Sequence, residues 1–288
     1  MPVSRFSILT RDGAIAVTDT GGPGRPLVML HGAGASGAVF SSQFEGPLAD
    51  HFRIIAIDLP GHGRSDRSTR PDMAYTLPNT AQMLAGLFPH LGIERAVVYG
   101  WSLGGHIVLE MMARFPALFA GAAISGAPPF APGTLGTLRA FHLNPTSLLA
   151  GKQKLSYNEA ARLARMFYGE DAGQHHIAMI LATDPEARPR LMRSIVRGEG
   201  ADPRKTVRTS PVPLAIFHGA HDPAIRLGYL EGLHYANLWE GRIHIVPHSG
   251  HAPFLGAPHS FDALLHRFAS SAAIARSAMP EPFLTRHA

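Results

Sequence analysis

Ser102, Asp222 and His251 carry the strongest chemical signal in the chain. Ser102 lies in Gly100-Trp101-Ser102-Leu103-Gly104, a G-x-S-x-G placed directly after the apolar run Ala96–Tyr99 and directly before a helix-like stretch from Leu103. A serine on a sharp strand-to-helix turn is lifted out of the sheet and exposed for nucleophilic attack. So tight a turn needs small neighbours, which Gly100, Gly104 and Gly105 supply. The Leu103 N–H falls at the helix N-terminus, where unpaired donors and the helix dipole favour an oxyanion. A serine nucleophile needs a base, and the base needs an orienting carboxylate. The apolar run Leu214–Phe217 leads into His218-Gly219-Ala220-His221-Asp222, and Arg242–Val246 leads into Pro247-His248-Ser249-Gly250-His251. Asp222 and His251 complete the order nucleophile, acid, base. His248 competes for the base role but lies nearer its strand end. A second oxyanion donor is expected from the Ala33 N–H in His31-Gly32-Ala33-Gly34, with the His31 side chain structural. The chemistry of this set is acyl transfer to water.

These residues need a scaffold that brings several strand ends together. Val3–Thr10 and Ala14–Thr20, joined by the polar turn Arg11-Asp12-Gly13, predict an antiparallel hairpin. Unbroken apolar runs at Leu27–Leu30, Arg53–Ile57, Ala96–Tyr99, Ala120–Ile124, Leu214–Phe217 and Arg242–Val246 suit strands buried on both faces of a parallel sheet. Helix-like stretches at Thr80–His90, Leu103–Phe115 and Ser260–Ser270 alternate with them, which predicts a doubly wound α/β sheet. The alternation breaks between 127 and 209. Pro128, Pro129 and Pro132 open a stretch with helical periodicity, including Asn158–Tyr168 and His176–Leu181, and no convincing strand. The expected organisation is a core of 1–126 and 210–270, a helical cap of 127–209 inserted after the sixth strand, and a loose C-terminal tail of 271–288. Asp58-Leu59-Pro60-Gly61-His62-Gly63-Arg64-Ser65 reads as a rigid turn framing the site.

Composition narrows the functions available. The chain has 288 residues and no cysteine, which excludes thiolate metal sites, a cysteine nucleophile and a thiol redox switch. The 17 histidines and formal charge of +5 raise metal and nucleic acid as alternatives. No H-E-x-x-H or similar ligand spacing occurs, so neither metal nor cofactor is expected. Most of the excess charge sits in one segment containing Arg188, Arg190, Arg193, Arg197, Arg204, Lys205 and Arg208. It lacks interleaved aromatics and any nucleic-acid module, and reads as a solvated helix face. No apolar leader and no run of eighteen apolar residues is present, so a soluble, cytoplasmic protein without membrane or nucleic-acid partners is expected.

Taken together, H-G at 31, D-L-P-G-H-G-R-S from 58, G-W-S-L-G-G from 100, G-x-x-D from 219 and G-H-A-P-F from 250 resemble the α/β-hydrolase fold from about Val3 to Ser270. A closer likeness is to its metal-independent N-acylhomoserine lactonases, which quench quorum-sensing signals. G-W-S-L-G-G-H-I, N-L-W-E-G from Asn237, S-G-A-V-F from Ser36 and E-G-P-L-A from Glu45 are similar to that group. The resemblance implies opening of a lactone ring by a Ser-His-Asp acyl-enzyme mechanism, on a small-molecule ester or lactone. Two departures stand out. Ala33 replaces a side chain that can be polar in such lactonases, and Asp222 stands where Glu also occurs. Backbone donation from Ala33 survives the first change; a side-chain contact to substrate does not. Gly32, Gly34 and Trp101 are expected to border the substrate, and Met166, Phe167 and Met179 to line an acyl pocket unless they form only the cap's own core. A general carboxylesterase or carbon–carbon bond hydrolase would use the same triad, since fold alone does not set the substrate. A slow-turnover small-molecule receptor is the alternative outside catalysis.

Overall fold

The apolar runs form one sheet. A computed structural model describes residues 3–277, with side chains described through residue 272. Its strands are β1 (Ser4–Thr10), β2 (Gly13–Asp19), β3 (Arg25–Leu30), β4 (Phe52–Ile57), β5 (Ala96–Trp101), β6 (Phe119–Ser125), β7 (Leu214–Gly219) and β8 (His244–Val246). They are ordered β1-β2-β4-β3-β5-β6-β7-β8. Only the β1–β2 and β2–β4 pairs are antiparallel; from β4 to β8 every pairing is parallel. Side chains alternate between the two faces of a strand. Val28 and Leu30 of β3 therefore join Ile55, Ile57, Val98, Leu84, Phe88 and Ile107 in one core. Leu27 and Met29 join Ile54, Val97, Tyr99, Phe40, Phe261 and Phe268 in the other. The helices Leu77–His90 and Leu103–Arg114 contribute to the first layer, and Pro258–Ser277 to the second. A sheet covered on both sides has no need of polar alternation, which is why the central strands are continuous apolar runs.

Parallel pairing also gathers the carboxyl ends of β3, β5, β6, β7 and β8 along one edge, where open α/β sheets bind ligands. Between β6 and β7 the chain forms the helices Thr134–Ala140, Tyr157–Tyr168, Gln174–Ala182, Ala187–Arg197 and Pro203–Thr209. Tyr157–Tyr168 starts with a full capping box, in which Ser156 and Glu159 satisfy each other's backbone donors.

Several expectations change. The basic segment is two helices on which Arg193, Arg197, Arg204, Lys205 and Arg208 are exposed, as expected, but Arg188 is not. Arg188 is only 2% exposed, on the same side of its helix as Leu191 and Ile195. Its Nη2 donates to the carbonyls of Lys152 and Gln153, while Nε and Nη1 are buried without a partner among the described residues. Strand β8 starts at His244 rather than Arg242, because Trp239–Gly241 forms a 3-10 turn whose C-cap is Arg242. The last helix continues to Ser277, past the boundary expected at Ser270. The rest of the expected tail, 278–288, lies outside the described residues.

Candidate active site

The turn after β5 places Ser102 at the strand edge with φ 52° and ψ −115°. A left-handed φ is unfavourable for a residue with a Cβ and persists only where surrounding contacts enforce it. The enforcement is visible. The Ser102 N–H donates to the Ser125 carbonyl at 2.8 Å. A Cβ on Gly104 would run into the Leu30 and His31 carbonyls, and one on Gly105 into Ala127. The helix start is thus pressed against the end of β3, which brings the Leu103 and Ala33 N–H groups to one cavity with Ser102. Among the described residues, neither N–H has a protein acceptor. Such uncommitted donors beside a nucleophile are suited to a tetrahedral oxyanion.

The loop bearing Ala33 is held by His31. Its Nε2 accepts the Leu59 N–H at 2.9 Å, and its Nδ1 lies 2.8 Å from the Gly32 carbonyl. Complete burial lowers its pKa to about 4, against the opposing Gly32 hydrogen bond, so the ring is neutral. The Asp58 turn buttresses the same region, with Oδ1 accepting the Gly37 N–H at 2.7 Å and Oδ2 the Arg64 N–H at 2.8 Å.

Asp222 and His251 meet across the loops after β7 and β8. The two chains touch backbone to backbone: a Cβ on Gly219 would strike the Gly250 carbonyl, and the His221 N–H donates to the Ser249 carbonyl at 2.9 Å. His251 Nδ1 is 3.1 Å from Asp222 Oδ1 and 3.0 Å from Oδ2. Oδ1 also accepts the Ala224 N–H at 2.8 Å. Burial opposes ionisation of Asp222, but the charge and hydrogen bond of His251, with the Ala224 N–H, outweigh it and hold the carboxyl below its usual range. The other edge of the His251 ring borders the Ser102 cavity. His248, the competing base, is exposed, and the carboxylate pairs with His251 instead.

Two residues that position this base carry signals that are faint in the sequence. Gly126, just after β6, has φ 64°, and a Cβ there would lie 2.7 Å from His251 Cε1 and 3.1 Å from Nε2. Phe167 also stacks on this ring, with centroids 5.6 Å apart at 25°. The imidazole thus contacts both the core backbone at Gly126 and the helix Tyr157–Tyr168.

The cavity beside the triad has a volume of about 240 Å³. Ala33, Leu103, Met166 and Phe167 line it. Gly32, Gly34, Trp101 and Met179, also expected beside the substrate, are not among its lining residues. Trp101 is fully buried, packs against Phe167, Tyr168 and Phe254, and donates Nε1–H to the His251 carbonyl at 2.8 Å. Gly32 abuts the Trp101 ring, Gly34 lies against Ile180, and Met179 Sδ accepts from Ser36 Oγ. Among the described residues no group of three or more His, Asp or Glu could hold a metal ion. No helix among them is long and apolar enough to cross a membrane.

A parallel sheet with a strained serine after β5 and an acid–base pair after β7 and β8 defines the class, and the chain belongs to the alpha/beta hydrolase family, whose model matches residues 27–264. Within that class it is similar to the N-acyl homoserine lactonase AidH. A mutant of that protein complexed with N-hexanoyl homoserine lactone is 36% identical, with a TM-score of 0.90 over 94% of this chain and 99% of that one. The chain is also similar to the pimeloyl-[acyl-carrier protein] methyl ester esterases of Xanthomonas campestris pv. campestris (strain B100), at 30% identity, and Nitrosomonas europaea, at 27%. These matches cover 88% of this chain and 98% of the first relative, and 84% and 95% for the second.

Proposed function

We propose that this hydrolase opens the lactone ring of N-acylhomoserine lactones through an acyl-enzyme formed on Ser102. The observation that carries the reading is the apolar cavity that has the nucleophile, the base and two free N–H donors on one wall, in a chain whose likeness to a lactonase extends over nearly its whole length. His251 removes the Ser102 proton as the hydroxyl attacks the lactone carbonyl, and Asp222 fixes the tautomer and steadies the imidazolium. The Ala33 and Leu103 N–H groups hold the developing oxyanion, each such donor being worth about 10²–10³ in rate. The ring C–O bond breaks, and the alkoxide takes the proton back from His251. Because the ester is cyclic, the alcohol remains tethered to the acyl group. Water deprotonated by the same histidine then attacks the acyl-enzyme and releases the ring-opened N-acylhomoserine. The helices of 127–209 act as a cap, with Met166 and Phe167 forming part of the acyl wall. A small-molecule substrate is the only partner this chemistry needs.

The methyl ester esterase relatives favour a second reading, in which the same groups cleave an acyclic ester. The test is a panel of acylhomoserine lactones and simple methyl esters, followed by mass spectrometry for ring-opened product with wild type and Ser102→Ala. Lactone turnover lost in Ser102→Ala supports the proposal. Methyl ester turnover without lactone turnover sinks the lactone reading and leaves the esterase. Undiminished lactone hydrolysis by Ser102→Ala sinks the mechanism.

A further inference from the structure

The triad leaves one buried histidine on the cavity wall unused. His106 follows Ser102 by one helical turn, and its N–H donates to the Ser102 carbonyl at 3.2 Å. Residues four apart on a helix share a face, with Cβ atoms about 5–6 Å apart. Its ring is 7% exposed and borders the cavity, edge-on to Phe130 at 5.7 Å and tilted against Phe141 at 6.5 Å.

The other polar side chains on the lining are committed or peripheral. Thr137 Oγ1 donates to the Gly133 carbonyl at 2.9 Å, and Ser147 Oγ to the Asn144 carbonyl at 2.7 Å. His142 is exposed. Ser102 and His251 belong to the reaction. His106 is left as the buried polar side chain of the wall whose ring makes no hydrogen bond among the described residues. Its ring nitrogens are not sealed off, so a ligand in the cavity can meet them. Burial, followed by the nearby charge of His251, lowers the His106 pKa to about 4. The ring is therefore neutral and offers one N–H and one lone pair.

We propose that His106 is a specificity residue that hydrogen-bonds an amide carried on the carbon next to the reacting carbonyl, so that the site selects α-acylamino lactones and esters over plain ones. This inference rests on the acyl-transfer reading of the cavity but not on the ester being cyclic. With the ester carbon at Ser102, an amide on the adjacent carbon lies two to three bonds away, within the reach of a side chain one turn along the helix. A neutral imidazole complements either the amide carbonyl or the amide N–H. The same contact leaves the alkyl chain to Phe130, Phe141 and Leu143.

The test compares kcat/KM for two matched pairs, with wild type, His106→Phe and His106→Gln. One pair is N-hexanoyl homoserine lactone against an α-alkyl-γ-butyrolactone of equal length; the other is N-hexanoylalanine methyl ester against methyl nonanoate. His106→Phe should lower kcat/KM about five- to tenfold for the amide-bearing member, the value of one net hydrogen bond. The amide-free member should change less than twofold. His106→Gln, which keeps a donor and an acceptor, should restore much of the preference. Equal losses on both members of a pair, or a preference that survives His106→Phe, would overturn the proposal. If wild type turns over neither lactone but discriminates between the methyl esters through His106, the lactone reading fails while the His106 assignment stands. Far-UV circular dichroism and a urea midpoint check that both variants fold; should Phe misfold, His106→Leu takes its place.

Discussion

Adding one methyl group at Gly126 should disable the base without replacing any of Ser102, Asp222 and His251. In Gly126→Ala the new Cβ would lie 2.7 Å from His251 Cε1 and 3.1 Å from Nε2. Non-bonded carbons rest about 3.5–4.0 Å apart, so the ring must retreat by about 1 Å. Other groups surround it. Phe167 stacks on it at 5.6 Å, Trp101 lies at 5.9 Å, and the Asp222 contacts at 3.0 and 3.1 Å would be strained. A displacement near 1 Å in a reacting constellation costs about 10²-fold in rate. The substitution also forces alanine into φ 64°, at about 1–2 kcal/mol of stability. The two effects separate against Gly92→Ala. Gly92 has φ 65° and nothing within 4 Å of its built Cβ, so it carries the backbone strain alone. Steady-state hydrolysis of an aryl ester and urea unfolding, run on both variants, give the readout. Both should lose similar stability, but only Gly126→Ala should lose turnover. Gly126→Ala activity within threefold of wild type would refute the idea that this glycine holds the imidazole in place.

Three further outcomes follow from the same geometry. Trp101→Phe removes the Nε1–H donated to the His251 carbonyl at 2.8 Å and leaves that oxygen buried; urea unfolding should show a loss of about 1–3 kcal/mol, and an unchanged midpoint would count against the contact. Arg188→Met should leave stability unchanged or raise it, because a buried guanidinium with two unpartnered nitrogens gains little and forfeits its hydration; a large drop in the thermal midpoint would contradict this. Burial lowers the His31 pKa to about 4 and that of His62 to about 3, the latter also through His31's charge. The unfolded chain, with ordinary histidines near 6.5, therefore takes up protons first as the solution is acidified. Stability should be full above about pH 6.5 and fall progressively between there and pH 4; equal urea midpoints at pH 7.5 and 5.0 would exclude it.

The candidate set is legible because its signals are local. Ser102, Asp222 and His251 each follow an apolar run and sit in a short loop rich in glycine or proline, and parallel pairing alone brings such loops to one edge. The residues that grip the set are legible only in three dimensions. Gly126 follows β6 like any loop glycine, and nothing nearby in sequence marks its approach to a ring 125 positions later. Trp101 occupies the variable position of the nucleophile motif, where burial and exposure look alike until the neighbouring loop is placed. Arg188 was read with its neighbours as solvated because charge composition averages over a helix, whereas burial depends on the side it faces. His106 falls within an apolar helix and shows its isolation only once Thr137 and Ser147 are seen to be committed elsewhere.

The stack of Phe167 on His251 has an evolutionary consequence. A segment inserted between β6 and β7 looks like a cassette, free to be exchanged whenever a new substrate becomes available, while the sheet keeps the reactive groups. Here the cassette lays an aromatic ring against the imidazole. Mutations that reshape the pocket therefore also act on the proton acceptor, and position 167 answers to two selective pressures at once. Descendants that change their preferred acyl group would be expected to alter Met166 or Phe141 before Phe167, and a transplanted segment lacking an aromatic ring at that site should bind its new ligand yet turn it over poorly.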